Sequence, residues 1–147
     1  MRFRAIGICV HTDDVASVAG FYRDLLGFEV ALDIGWFVSL RHRDRDGVDV
    51  CVVHADHAPS PGLAGPVGGL VLAFLLDGPD EVDKQYARLA SAGVVFELTP
   101  RDEPWGQRRC VARDPAGTGI EFVAVTTPDP AWLAAQQATA DTEGGAS

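Results

Sequence analysis

Apolar and polar residues follow an order along the chain that occurs twice. In the first half, a short apolar run (residues 5–10) predicts a strand. Apolar residues at helical spacing follow, between Asp14 as the N-terminal cap and Gly27 as the stop. Three further strands are then predicted over residues 28–32, 36–41 and 48–54.

The second half repeats this order. A strand is predicted over residues 70–76, a helix between Asp80 and Gly93, a strand over 94–98, and a polar loop over 99–106. Two extended runs then flank a tight turn at Asp114–Gly117. The repeat predicts an α+β fold in which two βαβββ modules form a curved mixed sheet around a central cleft, with the helices outside. A concave sheet of this kind suits a small-molecule site.

The composition of the connecting segments sets the predicted boundaries. Residues 1–57 form the first module and residues 70–126 the second. Residues 58–69 between them are rich in Pro and Gly and predict a linker. Residues 127–147 predict a short helix over 131–138 and a disordered tail.

Charge and cysteine content narrow the class of partner. The 147-residue chain has a formal net charge of -9, which argues against nucleic acid and anionic membrane as partners. The sequence predicts neither a secretory signal nor a membrane-spanning segment. Cys9, Cys51 and Cys110 contain no CxxC motif, so each is predicted to be a small buried hydrophobe. Reduced thiols suit a cytoplasmic location.

Glu121 is the residue that does not fit its surroundings. It lies in the middle of the apolar run 119–125, and a buried carboxylate is costly unless it is paired. Three interpretations are open: a partnered core acid, a metal ligand or proton carrier, or a strand residue that faces water.

Two motifs resemble those of the vicinal oxygen chelate superfamily, which includes glyoxalases, extradiol dioxygenases and bleomycin-resistance proteins. The first is FYRDLLGF at residues 21–28. The second is Pro104-Trp105-Gly106 followed by DPxGxxIE at residues 114–121. The similarity covers about residues 5–125 and implies the predicted cleft. It also implies a divalent metal, held by a His on the first strand, a His opening the second half and a Glu on the last strand.

The chain departs from that implied ligand set. Glu121 matches the family's Glu, but Gly7 and Val71 stand at the two His positions, and the fourth strand offers Cys51 and Val53 where some members have an acid. A lone carboxylate does not hold a catalytic divalent ion, because such sites take at least three protein ligands. We therefore predict no metal and no cofactor, with His54 the best placed of four histidines for any substitute site.

Two functions follow, and both remain open. The first is metal-free binding of a bulky aromatic natural product or antibiotic, as in bleomycin-resistance relatives. Sequestering the compound in this way would confer self-resistance. The predicted ligand-binding residues combine rings, cleft positions and the acid; they are Trp36, Phe37, Cys51, His54, Val71, Phe96, Trp105 and Glu121.

The second function is an enzyme, a lyase, isomerase or cyclase related to glyoxalases and dioxygenases. Glu121 would then be the catalytic residue, as general base or metal ligand, with His54 as its acid partner. A third interpretation is a dimeric structural module without ligand. The long connection between the modules also predicts a homodimer, as in many relatives of this superfamily.

Overall fold

The computed structural model describes residues 6–45, 47–57 and 70–144. The first half contains β1 (Ile6–Thr12), α1 (Val15–Gly20), β2 (Phe28–Asp33), β3 (Phe37–His42) and β4 (Val48–His54). A π-helical turn (Phe21–Leu25) continues α1, and a 3-10 turn (Ala55–His57) follows β4. The second half contains β5 (Val71–Leu75), α2 (Pro79–Ser91), β6 (Phe96–Glu103), β7 (Gln107–Arg113), β8 (Gly119–Val125) and α3 (Pro130–Gly144).

The strands form two four-stranded sheets with the same connectivity. Their strand orders are β1-β4-β3-β2 and β5-β8-β7-β6, so in each sheet the first strand of a module pairs with its last. In the first sheet β1 runs parallel to β4, whereas β2, β3 and β4 are antiparallel neighbours. The predicted α+β fold with two βαβββ modules and mixed sheets is confirmed. The central cleft remains a prediction.

The chain divides into two compact units. The first comprises Met1–Val71 with Arg113–Gly119, and the second comprises Leu72–Ala112 with Ile120–Ser147. The predicted linker at residues 58–69 lies outside the described residues, and the predicted module boundaries stay predictions. Within the part of the chain that is described, no helix is both long enough and apolar enough to cross a membrane.

The core of the first unit lies between α1 and one face of its sheet. Helix α1 contacts β3 and β4, and it buries Val18 and the following Tyr22 completely. Alternate residues of β4, Val50 and Val52, are buried on the same side of the sheet. Asp14 caps the helix as predicted, because its Oδ1 accepts a hydrogen bond of 2.9 Å from the backbone N–H of Ser17.

The predicted tight turn at Asp114–Gly117 is confirmed. The N–H of Gly117 donates to the carbonyl of Asp114 at 2.9 Å, and Gly117 has φ +86°, which favours glycine. The buried Asp114 carboxylate accepts from the Tyr22 hydroxyl at 3.0 Å and from the N–H groups of Ala116 and Thr118 at 2.9 and 2.8 Å. Burial, together with this carboxylate, raises the pKa of Tyr22. The Asp of the second motif is therefore a structural residue of the first unit.

The core of the second unit forms under α2. Val82 and Leu89 on this helix are fully buried, as is Cys110 on β7. The rings of Phe74 and Phe122 stack with centroids 5.6 Å apart. Burial of these side chains, at roughly 25 cal/mol per Å² of apolar surface, is the main stabilising term.

Three sequence expectations need correction or extension. The polar loop predicted over residues 99–106 is wrong at its start, because β6 continues to Glu103. Strand β6 is at the sheet edge, where Pro100 removes no interior hydrogen bond. Cys9 is exposed and Cys51 is half-buried, so only Cys110 is the buried hydrophobe that was predicted. The terminal helix extends to Gly144, beyond the predicted residues, and residues 145–147 lie outside the described ones.

Candidate functional site

Glu121 lies on the face of the second sheet that is opposite the core. Its neighbours Ile120 and Phe122 are buried, and strand alternation therefore directs Glu121 to the other side. On β7 the buried residues are Cys110 and Ala112, which places Arg109 on the same side as Glu121. We call this the outer face of the second sheet.

A charged network of Arg101, Glu103, Arg109 and Glu121 crosses this outer face. Arg109 Nη1 donates to Glu121 Oε1 at 2.9 Å, and Arg109 Nε donates to Glu103 Oε1 at 2.9 Å. Arg101 Nε donates to the same Glu103 oxygen at 2.7 Å. Of the three interpretations of Glu121, the structure shows the partnered acid. The missing His ligands suggested that Glu121 is a solitary acid. In the structure it is not solitary, because the Arg109 guanidinium pairs with it.

The electrostatics of the network follow from its partial burial. The side chains of Glu103 and Glu121 are only 6% and 18% exposed. Burial opposes ionisation of Glu103, but the hydrogen bonds from Arg101 and Arg109 outweigh it and lower the pKa of this carboxyl. Burial likewise opposes the charge on Arg109, but its hydrogen bonds with Glu121 and Glu103 raise its pKa. The network therefore holds two cations and two anions in fixed positions.

Trp105 adds a flat ring to the network. The Arg109 guanidinium carbon lies 5.4 Å from the centre of the Trp105 ring, which is cation–π distance. Trp105 Nε1 donates to Gln107 Oε1 at 2.7 Å, and the ring is 6.0 Å from that of Trp132. Trp105 remains 38% exposed. We call Trp105 and Arg109 together the stacking platform.

An open depression of about 780 Å³ adjoins the charged network in the second unit. Its lining residues are Pro79, Asp102, Glu103, Pro104, Arg108, Thr126, Thr127 and Asp129. Glu103 therefore belongs both to the network and to the wall of this depression. Arg108 in the wall is paired with Asp83 at 2.7 Å and with Asp102 at 3.1 Å.

The first unit holds a separate ring cluster of predicted residues. Trp36 and Phe37 have ring centroids 6.0 Å apart, and the backbone N–H of His54 donates to the Trp36 carbonyl at 2.8 Å. His57 stacks on Trp36 at 5.2 Å and contacts the His54 ring edge at 5.8 Å. The structure thus brings together Trp36, Phe37 and His54, and it adds His57, which was not among the predicted site residues.

The remaining predicted residues have other neighbours. Phe96 packs edge-on against Tyr86 with ring centroids 4.8 Å apart, which joins β6 to α2; both residues are half-buried. Cys51 lies beside Cys9, its register partner on the adjacent strand. Val71 begins β5 and is exposed.

Sequence reasoning missed the two residues that determine the state of Glu121. Arg109 was not singled out, and Glu103 was placed in a loop. A signal was present, because Arg109 and Glu121 are charged residues on two strands that flank one turn and are otherwise largely apolar. Which charges meet across the strands depends on register, and register is not visible in one sequence.

The residues at the implied metal site do not fit a divalent ion. Gly7 and Val71 have no donor atoms, and Glu121 Oε1 already accepts from Arg109. Among residues 6–45, 47–57 and 70–144, no three His, Cys, Asp or Glu side chains are grouped so that they could hold a metal. A divalent ion at Glu121 would also face the positive charge of Arg109.

Comparison with known proteins identifies the family. The family model for the glyoxalase/bleomycin resistance protein/dioxygenase superfamily matches residues 6–122. A glyoxalase/bleomycin resistance protein/dioxygenase from Nocardioides has a similar structure, with TM-score 0.72 and 26% identity over 86% of this chain and 85% of that one. Lactoylglutathione lyase from Agrobacterium tumefaciens follows with TM-score 0.65 and 25% identity, over 82% and 92% of the two chains.

TioX from Micromonospora sp. ML1 shares the fold, with TM-score 0.67 and 21% identity over 82% of this chain and 98% of that one. No curated protein shows significant similarity to the chain. Because the family model spans most of the sequence, including both motifs, the chain belongs to the glyoxalase/bleomycin resistance protein/dioxygenase superfamily.

Proposed function

We propose that this protein binds a bulky aromatic natural product without a metal ion and so sequesters it, as a resistance protein does. The observation that carries the proposal is the 2.9 Å ion pair between Arg109 and Glu121. Glu121 is the one residue that matches a metal ligand implied by the family resemblance, and the ion pair makes it part of a fixed network whose charges cancel. A surface of this kind favours organic guests over small hard cations.

The stacking platform supplies the recognition chemistry. Trp105 is partly exposed and its indole is oriented by the hydrogen bond to Gln107. Flat rings gain about 0.5–1.5 kcal/mol from stacking on an aromatic neighbour beyond the area that they bury. The adjacent guanidinium and carboxylates offer donors and acceptors to hydroxyl or amide groups on the guest.

The ring cluster at Trp36, Phe37 and His54 is a second surface suited to stacking, and its part in ligand binding remains a prediction, as do the parts of Cys51, Val71 and Phe96. The homodimer and the cytoplasmic location also remain predictions. The enzyme alternative needs Glu121 as general base or metal ligand, and the ion pair with Arg109 competes with both roles.

Calorimetric titration with aromatic antibiotics, including metal-free bleomycin, tests the proposal in buffer that contains EDTA. We expect at least one compound to bind with a Kd in the range of about 1 μM, which corresponds to about -8 kcal/mol. Replacing Trp105 by leucine should weaken binding about tenfold, because the ring and its cation–π partner are lost. Leu133→Ala, an exposed apolar change on α3, is the matched control and should leave the Kd unchanged.

Two results would contradict the proposal. One is binding that occurs only after a divalent metal is added. The other is conversion of the compound to a product, detected by mass spectrometry, at a rate that depends on Glu121.

A further inference from the structure

Two cysteines lie side by side on the outer face of the first sheet. Strands β1 and β4 are parallel neighbours, and Cys9 is the register partner of Cys51. The buried residues Val10 and Val52 follow them in sequence and point to the core. Alternation therefore places both thiols on the opposite face, with backbones separated by the strand spacing of about 4.8 Å. We call Cys9 and Cys51 the thiol pair.

The two thiols are register neighbours on adjacent strands, and solvent reaches the pair. Cys9 is exposed and Cys51 is half-buried. Partial burial, and then the neighbouring Cys51, raise the pKa of the Cys9 thiol. Because metals bind the thiolate form, binding of a metal ion here would release the thiol protons. Cys110 provides the contrast, because it is fully buried and burial raises its pKa to about 11.

His11 lies near the thiol pair on β1, but among the described residues it does not complete a three-ligand group with the two cysteines. His11 is two residues after Cys9 on β1, so it faces the same side of the sheet about 6.6 Å along the strand. Its Nδ1 is buried and has no hydrogen-bond partner among the residues that the structure describes.

The number and type of donors select the kind of ion. Zinc takes four ligands in structural sites, and the described residues contain no group of three ligating side chains around the pair. Hard cations such as Mg²⁺ and Mn²⁺ prefer oxygen donors. Soft monovalent Cu(I) prefers thiolate, and two sulfurs are sufficient for it in linear coordination.

We propose that Cys9 and Cys51 form a two-thiolate site for a soft monovalent cation of the Cu(I) type. The Cu(I) ion displaces the two S–H protons, which go to solvent, and two Cu–S bonds form without any change of oxidation state. The bound unit carries one negative charge. This site does not depend on the aromatic-ligand function, because its donors belong to the first unit and the stacking platform to the second.

Titration of the reduced full-length protein with Cu(I), in competition with the chelator bicinchoninate under nitrogen, tests the site. We expect one Cu(I) per chain to be retained, with thiolate-to-copper charge-transfer absorption in the ultraviolet. Cys9→Ser and Cys51→Ser should each weaken retention about tenfold or more, because one thiolate is lost. Ser39→Ala, which changes the register partner of Cys51 in the same row, is the matched control and should retain copper as the unchanged protein does.

Circular dichroism of each variant separates loss of copper from loss of fold. The proposal is overturned if the folded protein loses all of its Cu(I) to bicinchoninate. It is equally overturned if both folded serine variants retain Cu(I) as well as the unchanged protein, because the ion would then lie elsewhere.

Discussion

The outer faces of the two sheets have the same architecture and different chemistry. The first carries two thiols and a serine on β1, β4 and β3, with a histidine and rings beyond them. The second carries two arginines and two glutamates that are hydrogen-bonded to one another. Both sheets belong to βαβββ modules with the same strand connectivity, and in each module the helix covers the other side of the sheet. The module therefore determines which side of the sheet is the outer face, whereas a few alternating strand residues determine what that face binds.

The largest expected effect concerns the charged network. Replacing Arg109 with methionine leaves Glu103 and Glu121 without their shared partner in a partly buried position. We expect the free energy of unfolding to fall by about 2 kcal/mol, less than for a fully buried pair because solvent reaches part of the network. Chemical denaturation measures it. Cys9→Ser on the first sheet is the control and should change stability by less than about 0.5 kcal/mol.

An equal fall in the free energy of unfolding of both variants would contradict the proposed difference between the two faces. No fall in Arg109→Met would show that the two carboxylates find other partners and that Arg109 does not hold the network together.

A smaller effect concerns the pH dependence of stability. The pKa of Glu103 is lowered in the folded protein, so its ionised form stabilises the fold above its ordinary pKa of about 4.3. This contribution disappears as the pH falls through the lower, folded-state pKa. Replacing Glu103 with glutamine should therefore flatten the loss of stability between about pH 5 and pH 3. Thermal unfolding across this range measures it.

Glu29→Gln on β2 is the matched control, because Glu29 forms an exposed ion pair with Arg43. Its profile should follow that of the unchanged protein, since exposed pairs contribute little. If Glu103→Gln loses stability in acid as steeply as the unchanged protein does, the carboxyl is not held in its charged form by the arginines.

Much of the fold could be predicted from sequence because the local signals agree. Apolar periodicity located the helices, and Gly27, Gly93 and Gly117 have the positive φ angles that end helices or close turns. The end of β6 was missed because Pro100 and the charged residues around it resemble a loop. An edge strand tolerates both, and edge position is a property of the sheet rather than of the segment.

The candidate site was less accessible from sequence. A partnered acid was one of three interpretations left open for Glu121. Its partner Arg109 lies on the neighbouring strand, and the register of pairing decides that contact. Cys9 was predicted to be buried from its apolar neighbours, although alternation leaves every second strand residue on the outer face. In both cases the residue type indicated the chemistry of the side chain, but one sequence did not show on which face of the sheet that side chain lies.

Binding of Mn²⁺ tests the central claim, that Arg109 has replaced the metal at Glu121. Mn²⁺ prefers oxygen ligands and avoids thiolates, so it samples the carboxylate and not the thiol pair. In an electron paramagnetic resonance titration at micromolar protein, we predict that the signal of free Mn²⁺ equals the total added. One Mn²⁺ bound per chain, and released in Glu121→Gln, would contradict the account.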